Sequence, residues 1–363
     1  MASLLLIADD LTGALDSAAP FLASGLKVSV ALDPQGVAAA MADKPDVLVI
    51  NSDSRMTDPQ AATARMTVLW EQLAPEAPTL LFKKIDSRLN GRPALETIAL
   101  MTAAGRTTAQ ICPAVPDMGR IVADGRIMGE GIDDPILLSD HFASGGPYHL
   151  ADASDDAALD DLADIILADP QRTMAVGARG LAQAIARRMC ERRAPPPLPP
   201  VMDLPIVIAI GSRDPLSRGQ IDHLIQAHPD VEDIVAPGGR FAGHPRGDAD
   251  IILCRVTDDG MDHAPEQVAA RFAADLATIL REKRPRTLFA SGGATAVAVA
   301  QALDVHMARL IGEAAPAIPA TIIPEWDDMM FLTKSGGFGA IDTLSAMVSG
   351  VRGVALTPCG VMA

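Results

Sequence analysis

Residues 4–18 read Leu4-Leu5-Leu6-Ile7-Ala8-Asp9-Asp10-Leu11-Thr12-Gly13-Ala14-Leu15-Asp16-Ser17-Ala18. An apolar run stops at two adjacent carboxylates and a small-residue turn follows. Leu15, Ala18, Ala19 and Leu22 then recur at helix spacing. This is how a buried parallel strand hands over to a helix, and the carboxyl ends of such strands are where open α/β sheets bind ligands. Two acids there can orient hydroxyls, accept a proton or hold a metal. Equally, one of them can simply cap the helix through its backbone N–H groups.

The handover repeats outward from this stretch. Apolar runs at 28–31, 47–51, 80–83 and 108–112 predict strands, and patterns at 14–24, 59–73 and 93–103 predict helices between them. Residues 122–148 lose the periodicity and read as loops or a lid. A helix near 155–167, a strand near 173–176 and a helix near 181–193 follow. The run Ala194-Pro195-Pro196-Pro197-Leu198-Pro199-Pro200 excludes helix and central strand, which places a linker or crossover at 194–205. Beyond it come strands at 206–210, 251–254, 287–290 and 330–333, with helices at 217–227, 265–284 and from 295. The expected architecture is two three-layer α/β domains, 1–193 and 206–363, with mostly parallel sheets and an active site in the cleft between them.

Polar clusters sit at the expected strand ends. In the first domain these are Asp9-Asp10, Asn51-Ser52-Asp53-Ser54-Arg55 and Lys83-Lys84-Ile85-Asp86-Ser87-Arg88. Arg55, Lys84 and Arg88 are of the type that clamps a carboxylate, while Asp10, Asp86, Ser87 and Asn51 can read hydroxyls. The plainer reading of any one cluster is a surface ion-pair network. Pro113-Ala114-Val115-Pro116-Asp117-Met118-Gly119-Arg120 follows a further strand end, as another wall of the site or as a rigid turn. In the second domain the strand ends carry Gly211-Ser212-Arg213-Asp214, Ser291-Gly292-Gly293-Ala294-Thr295 and Lys334-Ser335-Gly336-Gly337-Phe338-Gly339. Glycine lets backbone N–H groups approach phosphate oxygens, and a helix start favours negative charge. None of these loops has the Walker A spacing, and tight turns use glycine anyway. A polar, charged half for a small hydroxylated anion and a glycine-rich half for a nucleotide together suit phosphoryl transfer, with Mg²⁺ on the phosphates.

Bulk properties narrow the classes. The net charge of −16 argues against a nucleic-acid partner. A mean hydropathy of +0.22 comes without a run long enough to span a bilayer, so a soluble cytoplasmic protein is expected. Cys112, Cys190, Cys254 and Cys359 are scattered and read as reduced thiols; with the histidines scattered too, no metal site built from protein ligands alone is expected. Only six of the 30 basic residues are Lys, and Lys83, Lys84 and Lys334 fall within the clusters above.

On these residues the chain resembles the four-carbon acid sugar kinase family, two-domain enzymes that phosphorylate threonate, erythronate or oxo-tetronate with ATP. The carrying stretches are 7–18, 51–55, 83–91, 113–125, 211–221, 291–296 and 334–339. The resemblance implies that Asp10, Arg55 and the run Lys84 to Arg88 contact the sugar acid, and that Ser212, Gly292, Gly293, Ala294, Thr295 and Gly337 contact ATP. The chain departs from the family in three places. Ala294 stands where an acidic residue is usual, Arg88 and Asn90 stand where Thr and a basic residue are common, and about 129–150 is shorter.

The expected function is therefore an ATP-dependent kinase on the terminal hydroxyl of a four-carbon sugar acid. Asp10 is the expected catalytic acid, with Asp86 as its rival. Asp9, Arg55, Lys84, Asp86, Ser87 and Arg88 hold the substrate, Asp9 also supporting the turn or a metal. Ser212, Gly292, Gly293, Ala294, Thr295, Lys334, Gly336 and Gly337 hold the nucleotide. The competing reading, suggested by Ala294, is a sugar-acid or nucleotide binding protein that has lost transfer. A dehydrogenase fits less well, because the first βα turn is acidic where a pyrophosphate loop would be glycine-rich. Partners are confined to sugar acid and ATP, with homo-oligomerisation left open.

Overall fold

The computed structural model describes residues 2–73, 78–190 and 198–351. It divides into two compact units: Met1–Pro197 with His306–Leu310, and Leu198–Val305 with Ile311–Ala363. Much of the proline run, 194–197, and Cys359 lie outside the described residues.

The elements of the first unit are β1 (Leu4–Ala8), α1 (Leu11–Ala23), β2 (Val28–Ala31), α2 (Val37–Ala42), β3 (Val47–Asn51), α3 (Pro59–Leu73), β4 (Leu80–Lys84), α4 (Pro93–Ala104) and β5 (Thr108–Cys112). They continue through β6 (Arg120–Ala123), β7 (Arg126–Gly129), β8 (Ile136–Leu137), α5 (Leu138–His141), β9 (Tyr148–Leu150), α6 (Asp156–Ala168), β10 (Thr173–Gly177) and α7 (Arg179–Met189). The second unit has β11 (Ile206–Ile210), α8 (Pro215–Ala227), β12 (Glu232–Pro237), β13 (Ile251–Thr257), α9 (Pro265–Lys283), β14 (Thr287–Ser291) and α10 (Gly293–Ala302). β15 (Met307–Ala315) begins in the first unit and ends in the second, which closes with β16 (Ile318–Ile323), β17 (Met329–Lys334) and α11 (Thr343–Val351).

In the first unit the sheet runs β2-β3-β1-β4-β10-β5-β9, all parallel. The opening residues of β15 add an antiparallel edge to β2, with Met307 opposite Ala31 and Arg309 opposite Ser29. Residues 122–148, expected as loops or a lid, instead contain the antiparallel sheet β6-β7-β8. Its strands are two to four residues long, too short to show a period. In the second unit the order is β12-β13-β11-β14-β17-β16-β15; the pairs from β12 to β17 are parallel and β16–β17 is antiparallel.

The first four strands of the two units share one arrangement, β2-β3-β1-β4 in one and β12-β13-β11-β14 in the other. In each, the chain leaves the central strand to one side and returns to pair on its other side. The order therefore reverses at the carboxyl end of β1 and again at that of β11. Such switch points open a crevice above the sheet. Every residue of β1, β3, β4, β11 and β14 is buried, which explains their unbroken apolar runs. Helices pack in separate groups, α3 with α4 and α1 with α7 and α6 in one unit, α9 with α10 and α8 with α11 in the other. That is the layering a sheet covered on both faces requires.

Candidate active site

Register sets the first site. Ala8 at the end of β1 lies between Asn51 of β3 and Lys84 of β4. Asp9 and Asp10 therefore leave the sheet at its switch point, beside the loops that follow β3 and β4. The Asp9 carbonyl accepts the N–H groups of Ser54 and Arg55 (3.0 and 3.2 Å), which folds residues 52–55 back over β1.

This brings Arg55 onto both acids. Its Nε and Nη2 donate to Asp9 Oδ2 and Oδ1 (2.9 and 2.8 Å), and Nη1 and Nη2 donate to Asp10 Oδ2 and Oδ1 (2.9 and 2.8 Å). Nη1 also stands 3.6 Å from Asp86 Oδ2. The guanidinium is thus spent on the chain's own carboxylates, and the expectation that it clamps a substrate carboxylate gives way to a bracing role. Asp9 is 3% exposed. Burial pushes its carboxyl up, but hydrogen bonds from Arg55 and the charges of Lys83, Arg55 and Lys84 outweigh this and hold it below the usual carboxylate range.

Asp10 both caps α1 and faces the site. Its Oδ1 accepts from Gly13 N (3.0 Å), and its Oδ2 accepts the Thr12 hydroxyl (2.7 Å). The helix cap thus falls on Asp10 rather than on Asp9. A Cβ on Gly13 would lie 2.5 Å from Asp10 Oδ1 and 2.9 Å from Lys84 Nζ, so only glycine lets the helix start this close to both groups. Lys84 is 5% exposed, and its one hydrogen bond among the described residues is to Ile85 O (2.8 Å). Lys83 points elsewhere, into an ion pair with Glu96 (2.8 Å) in the core.

The remaining expected residues divide. Asp86 Oδ1 accepts from Arg88 N, Asn90 N and Asn90 Nδ2 (2.9, 3.3 and 2.9 Å), so this carboxylate organises its own turn and is a poor rival base. Asn51 is fully buried, with Nδ2 donating to Leu32 O and Oδ1 accepting from Asp53 N, so it braces the loop after β3 rather than facing the surface. Ser87 accepts from Arg120 Nη1 (2.5 Å). Thr12, Gly13 and Arg120 lie in stretches that the sequence singled out, but none was given a role of its own there. Their signal was only nearness in sequence to a strand end.

The second unit builds the corresponding edge from small residues. Ile210, Ser291 and Lys334 lie in register across β11, β14 and β17. A Cβ on Gly211 would fall 2.1 Å from Thr295 Oγ1, and one on Gly336 would fall 2.2 Å from Ser212 Oγ. Ser217 Oγ donates to Gly336 O (2.9 Å) and lies 3.1 Å from Ser212 Oγ, joining two of the loops. Gly292 (φ 107°) precedes α10 without a side-chain cap, so no capping side chain occupies the first-turn N–H groups of Gly293, Ala294 and Thr295. Ala294 is exposed there and places no carboxylate in this turn.

Lys334 is 1% exposed, and its Nζ donates to the carbonyls of Ser335, Gly336 and Phe338 (2.9, 3.0 and 3.2 Å). All three donors shape its own loop, so the expectation of a direct polyphosphate contact is replaced by a positioning one. Burial lowers its pKa to about 8, against the opposing charge of Asp214. Among the described residues, no three His, Cys, Asp or Glu side chains converge as a metal site. Also among the described residues, no helix is long and apolar enough to cross a membrane.

The chain matches the sugar-binding N-terminal domain over residues 4–144 and the nucleotide-binding C-terminal domain over residues 246–344. Fold and site thus define a two-domain α/β protein with a sugar-binding and a nucleotide-binding half. A D-threonate kinase of Salmonella typhimurium is 27% identical over 94% of this chain and 96% of its own length. A 3-oxo-tetronate kinase of Pseudomonas fluorescens is 24% identical over 96% of each. The chain belongs to the four-carbon acid sugar kinase family. The fold is shared with a Haemophilus influenzae protein of the DUF1537 family, at 21% identity and TM-score 0.69 over 96% of this chain and all of that one.

Proposed function

We propose that the chain is an ATP-dependent kinase that phosphorylates the terminal hydroxyl of a four-carbon sugar acid of the threonate, erythronate or oxo-tetronate type. The observation that carries this reading is Asp10 at the switch point. Its Oδ2 already accepts a hydroxyl proton, from Thr12, and it stands beside a buried ammonium with unspent N–H groups. A substrate hydroxyl takes the place of the Thr12 hydroxyl. Its oxygen attacks the γ-phosphorus, the bond to the ADP oxygen breaks, and the hydroxyl proton passes to Asp10 or onward to water. Lys84 balances charge near the acceptor, while Arg55 keeps Asp9 ionised and holds both carboxylates in place. Asp9 and Asp86 serve the substrate through Arg55 rather than by direct contact.

Ser212, Gly292, Gly293, Thr295, Gly336 and Gly337 take the nucleotide through backbone N–H and hydroxyl donors, with Ala294 contributing its N–H alone. Mg²⁺ arrives on the ATP phosphates and neutralises charge there; the residues present suit that role, since they offer donors to phosphate rather than a cage for a cation. The reading takes the enzyme to be cytoplasmic, where ATP is supplied. Coupled ADP release across a panel of tetronates and oxo-tetronates tests it, with turnover expected for at least one member. Calorimetric binding of sugar acid and ATP with no release from any member would replace it with the binding-protein reading.

Lys334 supplies a pH test of the second unit. Above pH 8 its amine keeps two N–H donors for three carbonyls, so the 335–338 loop loosens and KM for ATP is expected to rise between pH 7 and 9. Fold stability moves the other way. The folded pKa lies below the unfolded 10.5, so burying the ammonium costs stability below about pH 8, and that cost is relieved as pH climbs toward 10.5. Lys334→Met is expected to show the high KM at every pH. A KM for ATP that is flat in the parent over this range would remove the loop-shaping role.

A further inference from the structure

Arg120 opens β6, in the small sheet at 120–137, and is 7% exposed. Its Nη1 donates to Ser87 Oγ, and its Nε and Nη2 both donate to Glu130 O (3.2 and 2.8 Å). The turn that offers this carbonyl has glycine at both ends, Gly129 (φ 110°) and Gly131 (φ 69°). A Cβ on Gly131 would lie 2.7 Å from Arg88 Nη2 and 3.3 Å from Arg120 Nη2. Two guanidinium groups therefore share the space in front of Gly131. Among the described residues neither forms an ion pair with a carboxylate, whereas Arg55 has three acids around it.

Two adjacent like charges without a counter-ion are unfavourable unless an anion joins them. Burial, and then the charge of Arg88, lower the Arg120 pKa, with Asp86 and Glu130 opposing only in part. Arg120 is nevertheless rigid, because Ser87 and Glu130 O fix three of its N–H groups. The pair is also linked to the hydroxyl-binding end. Arg55 touches Asp10 and Asp86, and Ser87 and Arg88 continue the turn that Asp86 closes. The cationic fork is thus borne on the same turn that Arg55 joins to Asp10. Planar guanidinium groups match a carboxylate.

We propose that Arg120 and Arg88 form the carboxylate subsite of this site, and that Arg120 makes the enzyme select sugar acids over neutral four-carbon sugars. The role expected of Arg55 passes to this pair, and the proposal rests on the kinase reading for the identity of the occupant. Three proteins test it: the parent, Arg120→Gln and Arg88→Gln. Each is titrated calorimetrically with D-threonate, and assayed with D-threonate and with the neutral alditol threitol.

Losing a charge-assisted bond is expected to raise Kd and KM for D-threonate by about 10- to 100-fold for Arg120→Gln, and by about 10-fold for Arg88→Gln. KM for ATP and the weak turnover of threitol should stay as in the parent. Arg88 is exposed and makes no side-chain hydrogen bond among the described residues, so its variant remains informative if loss of Arg120 disturbs the small sheet. Equal loss for threonate and threitol would reduce Arg120 to a structural part and overturn the proposal, as would unchanged threonate affinity in Arg88→Gln. Arginine-dependent binding without turnover in the parent would instead sink the kinase reading and leave the subsite standing.

Discussion

Asp10→Asn is expected to lower kcat by about 10³-fold while leaving the fold close to the parent's. The size follows from the work assigned to the carboxylate, since positioned general bases contribute roughly 10²- to 10⁴-fold. The separation from stability follows from the geometry. Asparagine is as good an N-cap as aspartate, so its Oδ1 can still accept Gly13 N and hold the start of α1. Arg55 keeps the buried Asp9 as partner through Nε and Nη2. Asp10→Ala removes the cap as well and should cost about a further 1 kcal/mol. Comparing the two variants in activity and in thermal melts separates cap from catalysis.

Asp86→Asn is the control for the rival base. Its Oδ1 is filled by Arg88 N and by the backbone and side chain of Asn90, so the variant should disturb the 86–90 turn and raise KM for sugar acid more than it lowers kcat. A kcat loss for Asp86→Asn that matched the loss for Asp10→Asn would move the base to Asp86.

How far such roles could be read ahead of the coordinates depended on what fixes each residue. β1, β3, β11 and β14 were legible because a parallel strand buried on both faces must be mostly apolar, and a run of three to five apolar residues between turn signals has few other uses. β12 was not, since it lies at a sheet edge and alternates buried with more exposed residues through Glu232, Asp233 and Pro237. The pairing of β15 with β2 escaped because β2 lies far back in the chain.

Within the site, residue type announced chemistry but not the direction of each contact. Arg55 binds a carboxylate as expected, yet it is the chain's own, and an arginine reads the same whether its acid arrives from Asp9 or from a ligand. Lys334 differs in the same way, its ammonium being turned onto three carbonyls of the loop it precedes. Arg120 stood in a stretch read as a possible wall of the site, but its contacts were hidden for another reason. Its partners are Ser87 and the carbonyl of Glu130, and neither pairing leaves a spacing rule in the sequence.

The second large effect is on stability. Arg55→Met is expected to destabilise the fold by about 3–5 kcal/mol at pH 7, the range for removing one partner of a buried ion pair. Methionine fills much of the same space, so the loss reports uncompensated charge rather than a cavity. The pH dependence identifies which charge. In the parent, Asp9 titrates below its unfolded value of 3.8, so its contribution is present above that pH and is lost as pH falls through the depressed folded value. In Arg55→Met the hydrogen bonds that opposed burial are gone, and the folded pKa of Asp9 moves upward. The folded variant then takes up a proton before the unfolded chain does, and its stability rises as pH falls toward 3.8. The gap between parent and variant in urea unfolding should therefore narrow between pH 7 and 4. A gap of constant size would mean that Arg55 acts through packing alone. Arg55→Lys should fall between the two, since a single ammonium cannot span both oxygens of Asp9 and both of Asp10 as the guanidinium does.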